Sequence, residues 1–353
     1  MGAALVAAPF FIKSAPIVTD IASWMFFLKT FALLSIAFFG AKITTRTKVL
    51  GFLVFGAALT ANNPFNEIVW HQFDYVACAF LLFCSIQNQN YSEKCVNGAL
   101  AFVCLFSCLW LWLQKFGIDL HFEWLSLWNE MRTEIVKPLS YPVNGSLFHI
   151  NHSLALIVAT IPFLKKRFWA IPLATVLYFH TTLPLVMLFL GSFFYLYQLK
   201  SDRRYLYAAL GLTVILAISM LFMSEDIGSN GRLAAWAAFF KWHGFNFFGE
   251  GYGIIQKEFS QVFTSVAGEK FHKLHNDFFE AYAIGGFAWI AAFVYMVKPI
   301  FKRNIPVPAA TCCFLLLINS LGNFTFQIAP LLITFMVCYN LIIKGESNGS
   351  IDN

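Results

Sequence analysis

Long apolar runs, cut at intervals by basic clusters or by glycine and proline, repeat along most of the chain. A bilayer crossing takes about 20 apolar residues. On that measure the pattern predicts an all-α polytopic membrane protein with about 12 transmembrane helices. They fall near residues 3–19, 22–42, 48–62, 72–88, 97–115, 150–164, 168–179, 182–199, 205–223, 280–297, 306–322 and 326–343. Two stretches depart from the pattern. Phe168 to Leu199 is broken by His180, Thr181, Thr182 and Pro184, which predicts a short re-entrant pair, and the first run contains Lys13 and two prolines.

Composition agrees with this pattern. Of 353 residues, 59% are hydrophobic and 12% charged, against roughly 25% charged in soluble domains. Aromatic residues reach 18%, with 42 phenylalanines, as suits lipid-facing helices with interfacial anchors. The net charge of +6 is explained by where the cations lie and gives no ground for nucleic-acid binding. Lys42, Arg46, Lys48, Lys94, Lys165, Lys166, Arg167, Lys200, Arg203, Arg204, Lys298, Lys302, Arg303 and Lys344 all fall in short connections on one side of the predicted alternation. The positive-inside rule makes that side cytoplasmic and puts both termini there. Residues 116–149 and 224–279 then form two long loops on the opposite face, the second predicted to be helical and to cap a site. No repeat, low-complexity tract or soluble domain interrupts residues 1–353, which read as a single membrane domain. The N-terminus lacks the basic region and cleavage site of a signal peptide, so a membrane helix is expected there. The eight cysteines lie almost entirely in apolar runs without zinc spacing, and are expected to be small buried hydrophobes.

The second long loop concentrates the candidate chemistry. Arg232, Lys241, His243, Lys257, Lys270, His272, Lys273 and His275 crowd into it, and charge close to lipid tends to mark function. Arg232 opens a segment with helical spacing in which Trp236 and Phe240 follow at i+4 and i+8, amid helix-favouring alanines. Its two interpretations are an interfacial helix with a snorkelling arginine and a phosphate-binding arginine, and they are compatible. Gly249-Glu250-Gly251-Tyr252-Gly253 has the look of a phosphate cradle, but it follows no predicted strand and faces away from any nucleotide pool. The glycines are expected to form a tight turn. His272 and His275 at i and i+3 invite a metal, with Asp277 and Glu280 as further ligands, but no convincing third ligand completes a site and none is assigned. A histidine among cations suits another task, accepting a proton from a hydroxyl while cations hold a diphosphate leaving group. The first long loop adds Arg132 and Lys137, then His149, Asn151 and His152 where a helix begins, polar residues placed to line a cavity.

The stretches GRLAAWAAFFKWHGFNFFGEGYG and HNDFFEAYAIGGFAWI together resemble the signature of the O-antigen ligase and O-antigen polymerase superfamily. The matching positions are Arg232, Trp236, Gly249, Gly251, His275, Asn276 and Gly285. NGSLFHINHSLALIVATIP resembles the same family's lead-in to a middle helix, through Gly145, Phe148 and Asn151. The resemblance is best over residues 144–297. It implies an inverting, metal-independent membrane glycosyltransferase without cofactor, which takes glycan from an undecaprenyl-diphosphate carrier on the periplasmic face of the bacterial inner membrane. It gives His275 the activation of the acceptor hydroxyl and Arg232 the binding of diphosphate. Many members carry a Ser-Arg pair where this chain has His180-Thr181-Thr182-Leu183-Pro184, so a second arginine is missing from its place. Either Arg132, Lys270 or Lys273 substitutes for it or the donor binds differently, and all three cations, with Asn276, Asn151, His152 and Trp236, are the expected substrate-binding residues.

The expected function is therefore ligation of a lipid-linked glycan to an acceptor such as lipid A core. O-antigen polymerase and protein O-oligosaccharyltransferase share the signature. A transporter or flippase of lipid-linked sugars is the rival from another class, and it predicts ionisable residues near mid-membrane and internal repeats.

Overall fold

A computed structural model describes residues 21–61, 67–118, 143, 147, 149–200, 202–222, 232–259, 274–302, 305–323 and 325–349. The regular structure of these residues is helical. In chain order the helices are α1 (Ile21–Phe39), α2 (Thr45–Leu59), α3 (Glu67–Asn88), α4 (Glu93–Lys115), α5 (Ile150–Thr160), α6 (Ala170–Phe179), α7 (Thr182–Lys200), α8 (Arg203–Phe222), α9 (Arg232–His243), α10 (Asp277–Val297), α11 (Val307–Ser320) and α12 (Ala329–Gly349). Short 3₁₀ turns extend several of them, and a π turn covers Ile255–Phe259. The first predicted span, residues 3–19, lies outside the described residues, as does most of the loop 116–149.

Among the described residues, four helical stretches are long and apolar enough to cross a membrane: Ile68–Asn88, Glu93–Lys115, Thr182–Lys200 and Asp277–Phe301. Leu28–Phe39, Ile150–Phe163, Val307–Ser320 and Ala329–Gly345 are shorter apolar helices. This is the make-up of a helical membrane protein. The predicted re-entrant pair resolves unequally, since α6 has 10 residues while α7, with 19, is of spanning length.

Local chemistry starts the helices where the sequence changes character. Thr44 and Thr47 form a reciprocal capping box before α2, and Ser92 caps α4 through the Cys95 amide. Asn276 caps α10 through the Phe278 and Phe279 amides, with Asp277 and Glu280 in the first turn, where the helix dipole favours negative charge.

The centre of the bundle is built on α5 and α11. From His152 to Thr160 and from Ala309 to Ser320 every residue is buried, so these helices are enclosed on all sides by protein. α11 packs against α5, α7 and α12. Gly191 of α7 lets it approach α11 so closely that a β-carbon there would collide with the Leu315 side chain. Next to it Phe194 stacks on Phe314 with ring centres 4.2 Å apart. Six of the eight cysteines are buried as expected, but Cys78 is half-buried, and Cys95, in the exposed first turn of α4, is itself exposed.

Long-range contacts gather several basic connections at one end of the bundle. Asn88 donates to the Phe39 carbonyl, the Lys42 amide to Cys84, and the Lys344 ammonium to Gln89 and Asn90. Tyr197 and Gln198 donate to the Phe301 and Ile300 carbonyls. The turn that joins α11 to α12, the start of α5 and the start of α9 come together elsewhere, and the candidate chemistry lies with them.

Candidate functional site

Two consecutive carbonyls, Leu321 and Gly322, organise the site. They belong to the sharp turn after α11, which rests on a buried polar cluster where Asn319 donates to Thr325 at 2.7 Å and Asn323 to Asn319 at 3.2 Å. The Arg232 guanidinium donates to Gly322 O at 2.6 Å, and the Asn276 amide donates to Leu321 O at 2.8 Å. Residues 232 and 276, far apart in sequence, are thereby fastened to one turn. The guanidinium is half-buried, and desolvation pulls its pKa below the ordinary arginine value.

His275 is held between these anchors. The Trp236 indole donates to Leu274 O at 2.6 Å, the Leu274 amide donates to Glu280 Oε1 at 2.9 Å, and Asn276 is fixed as the helix cap. With both neighbours committed, His275 takes a left-handed conformation at φ 51°, alone among the described non-glycine residues. That conformation costs an L-residue about 1–2 kcal/mol. Strain of this kind persists only where surrounding contacts impose it, and it gathers at functional sites. Glu280, 5% exposed, also accepts from Gln327, and Asp277 accepts from the Phe326 amide at 3.0 Å. Both carboxylates thus serve the scaffold.

On another side of the site stands the start of α5. His149 precedes the helix with extended backbone, and its Nδ1 accepts from the Asn151 amide at 3.2 Å. Its ring lies 5.0 Å from that of His152. His149 is half-buried, whereas His152 is 1% exposed. Burial, followed by the nearby charge of Arg232, lowers the His149 pKa below the usual histidine value.

The glycine loop does different work. Gly249, Gly251 and Gly253 all have positive φ. Gly286 breaks α10 with φ 62° and ψ −156°, which interrupts the backbone ladder of the helix. The loop meets that break with its own backbone. The Glu250 and Gly251 amides donate to Ala283 O and Ile284 O, each at 2.9 Å, and the Ala288 amide donates to Phe247 O at 3.2 Å. The fit allows no side chains: a β-carbon on Gly249 or Gly251 would stand 2.5 Å from backbone atoms of α10 or Ala61. Gly253 donates to Gln72 of α3 at 2.7 Å, so the loop also ties α10 to α3. A tight turn was expected here, but its seating on a broken helix was not.

An apolar cavity of about 290 Å³ runs between α2, α3, α10 and α12. Leu53, Val76, Phe83, Phe293 and Met296 are among its lining, and Gln72, Asp277, Glu280 and Gln327 form polar parts of the wall. Asp277 lies two residues beyond His275, which puts one part of the cavity beside the Arg232–Asn276 corner. Elsewhere in the bundle Lys29 of α1 pairs with Asp74 of α3, between two apolar helices.

No protein-family model, curated protein or solved structure matches the chain.

Of the residues expected from sequence, Arg232, Trp236, His275 and Asn276 converge, and His152 stands close to His149 at the start of α5, which the charge of Arg232 reaches. Two of them have structural tasks. Trp236, 9% exposed, holds Leu274, and Asn276, 3% exposed, uses its carbonyl oxygen as a cap and its amide as a tether. Asn151 contributes its backbone amide to His149, and its side chain is half-buried. Arg132, Lys270 and Lys273 lie outside the described residues. Phe240, expected to share the face of Trp236, packs edge-on against the same Phe279 ring as Trp236 does but is 44% exposed, while Ala235, Phe239 and His243 are buried beside Trp236. The Leu321–Gly322 turn was not among the residues expected from sequence, although the run Asn319-Ser320-Leu321-Gly322-Asn323, with three polar residues between two apolar stretches, was its signal.

Proposed function

We propose that this protein is a membrane glycosyltransferase that moves glycan from an undecaprenyl-diphosphate carrier to an acceptor hydroxyl, with lipid A core as the favoured acceptor. The observation that carries this proposal is the attachment of Arg232 and of the His275–Asn276 pair to consecutive carbonyls of one turn, which unites an anion-binding group and a proton acceptor. In the proposed reaction His275 takes the proton of the acceptor hydroxyl. The acceptor oxygen forms a bond to the anomeric carbon as the bond from that carbon to the diphosphate oxygen breaks. The electron pair leaves with the diphosphate, whose charge Arg232 stabilises, and the configuration inverts. The neighbouring apolar cavity would take part of the isoprenoid chain, since its lining offers hydrocarbon contact beside a polar corner. In this proposal the site faces the periplasm, the termini lie in the cytoplasm, and neither metal nor cofactor takes part.

Arg232→Lys tests the role of the guanidinium. Lysine retains a donor for Gly322 O but cannot reproduce a planar fork on phosphate oxygens. Transfer is expected to fall about 10- to 100-fold at wild-type abundance. Near-normal transfer in that variant would leave Arg232 as a tether only. Lipid A from cells with and without the gene reads out the acceptor: unattached long polymer indicates a ligase, and single repeat units indicate a polymerase. EDTA should leave transfer intact. One observation favours a second interpretation, transport of the lipid-linked sugar, because the Lys29–Asp74 pair puts ionisable groups between apolar helices. Retained transfer by purified Asp74→Asn protein, with no carrier movement in vesicles by the wild type, would exclude it.

A further inference from the structure

We propose that His149 binds the anion held at Arg232 as a neutral hydrogen-bond donor through its Nε2–H, and that the helix it caps selects the tautomer for this task. The inference rests on the anion-binding role proposed for Arg232 and adds a second donor to it.

A backbone N–H can only donate, so Nδ1 of His149, 3.2 Å from the Asn151 amide, must present a lone pair. A neutral imidazole with an unprotonated Nδ1 carries its proton on Nε2. The contact that starts α5 therefore also determines which face of the ring donates. A second proton would have to go to Nδ1, where it would break the cap. Two features of the surroundings oppose that protonation, namely burial and the charge of Arg232, and both act to keep the ring neutral.

Among the described residues, Arg232 of α9 and His152 of α5 are titratable groups that act on or stand beside this ring. His152 is the buried member of the histidine pair, and His149 is the partly exposed one. A neutral donor suits a position beside a guanidinium, because it adds a hydrogen bond to an anion without a second positive charge to repel the first. The same tautomer excludes His149 as a general base, since Nε2 is already protonated and Nδ1 is engaged. Proton acceptance is thereby left to His275, and the two histidines divide donor and acceptor tasks.

Two substitutions separate capping from donation. In His149→Asn the Oδ1 atom takes the place of Nδ1, and asparagine is among the strongest N-caps, so the helix start is preserved while nothing replaces Nε2–H. In His149→Gln the amide nitrogen reaches the Nε2 position, while the cap is weakened. The probe is undecaprenyl diphosphate, titrated into full-length protein in phosphatidylcholine nanodiscs. His149→Asn should bind about 10- to 100-fold more weakly than wild type, the worth of one hydrogen bond to a charged group. His149→Gln should stay close to wild type. Wild-type affinity in His149→Asn, together with lost affinity in Arg232→Ala, would overturn the donor role and leave the proposed function standing. No binding by the wild-type protein would overturn both. Should a variant fail to fold, ¹⁵N shifts of histidine-labelled wild-type protein decide the matter, with the His149 signals assigned by local labelling. Protonated Nε2 with bare Nδ1 supports the inference, and the opposite tautomer overturns it.

Discussion

The glycine loop at 249–253 and the corner formed by Arg232, His149 and His275 both carry motif-like residues, yet the structure accounts for them in opposite ways. Around the loop the residues have architectural reasons. Positive φ, close backbone approach and the carbonyls exposed by the break at Gly286 together require glycine. Around the corner, architecture accounts for Trp236 and Asn276 but not for the chemistry of the others. A helix can be capped by residues other than histidine, a carbonyl can be tethered without a guanidinium, and a left-handed position can be filled by glycine without strain. Residues that stand where cheaper substitutes would serve the architecture point to chemistry.

The largest expected effect separates the two regions by activity. His275→Ala should lower transfer about 10²- to 10⁴-fold, the usual contribution of general-base catalysis, at unchanged abundance. His275→Gly should be equally inactive, yet about 1 kcal/mol more stable than His275→Ala, because glycine adopts φ 51° without strain. Chemical denaturation of the two variants measures this difference. Full transfer by His275→Ala would move the proton acceptor elsewhere.

Gly251→Ala should behave in the reverse manner. Its β-carbon would meet the Ala61 backbone at 2.5 Å, at a residue whose φ is +84°. A loss of about 3 kcal/mol or more is expected, seen as reduced abundance with little change in transfer per folded molecule. Wild-type abundance in Gly251→Ala would mean that the loop is not seated as described, and the contrast between the regions would then collapse.

The smallest effect is a pH dependence. Because folding lowers the His149 pKa, protonation favours the unfolded chain. The stability that His149 contributes is present above the ordinary histidine pKa of about 6.5 and declines as the pH falls through it. Wild-type melting temperature should therefore drop more steeply between neutral and mildly acidic pH than that of His149→Asn. Equal slopes would show that His149 titrates alike in both states.

Much of this molecule was legible from local pattern. Apolar runs located most of the described helices, because a helix in an apolar environment satisfies its own backbone and needs an apolar exterior, and both are properties of neighbouring residues. The crowding of Arg232, His275 and Asn276 in one loop marked the region of interest for a related reason, since charge is seldom tolerated close to hydrocarbon without a use. Tertiary structure decided the rest. Whether Asn276 binds a ligand or caps a helix, whether Gly251 cradles a phosphate or seals a broken helix, and which nitrogen of His149 bears a proton all depend on partners that lie dozens of residues away or on dihedral angles set by packing. Periodicity reports which residues are apolar, but it carries no record of which carbonyl a distant donor will find. The Leu321–Gly322 turn, a break between two apolar runs in sequence, became the anchor of the site only when Arg232 and Asn276 were folded against it.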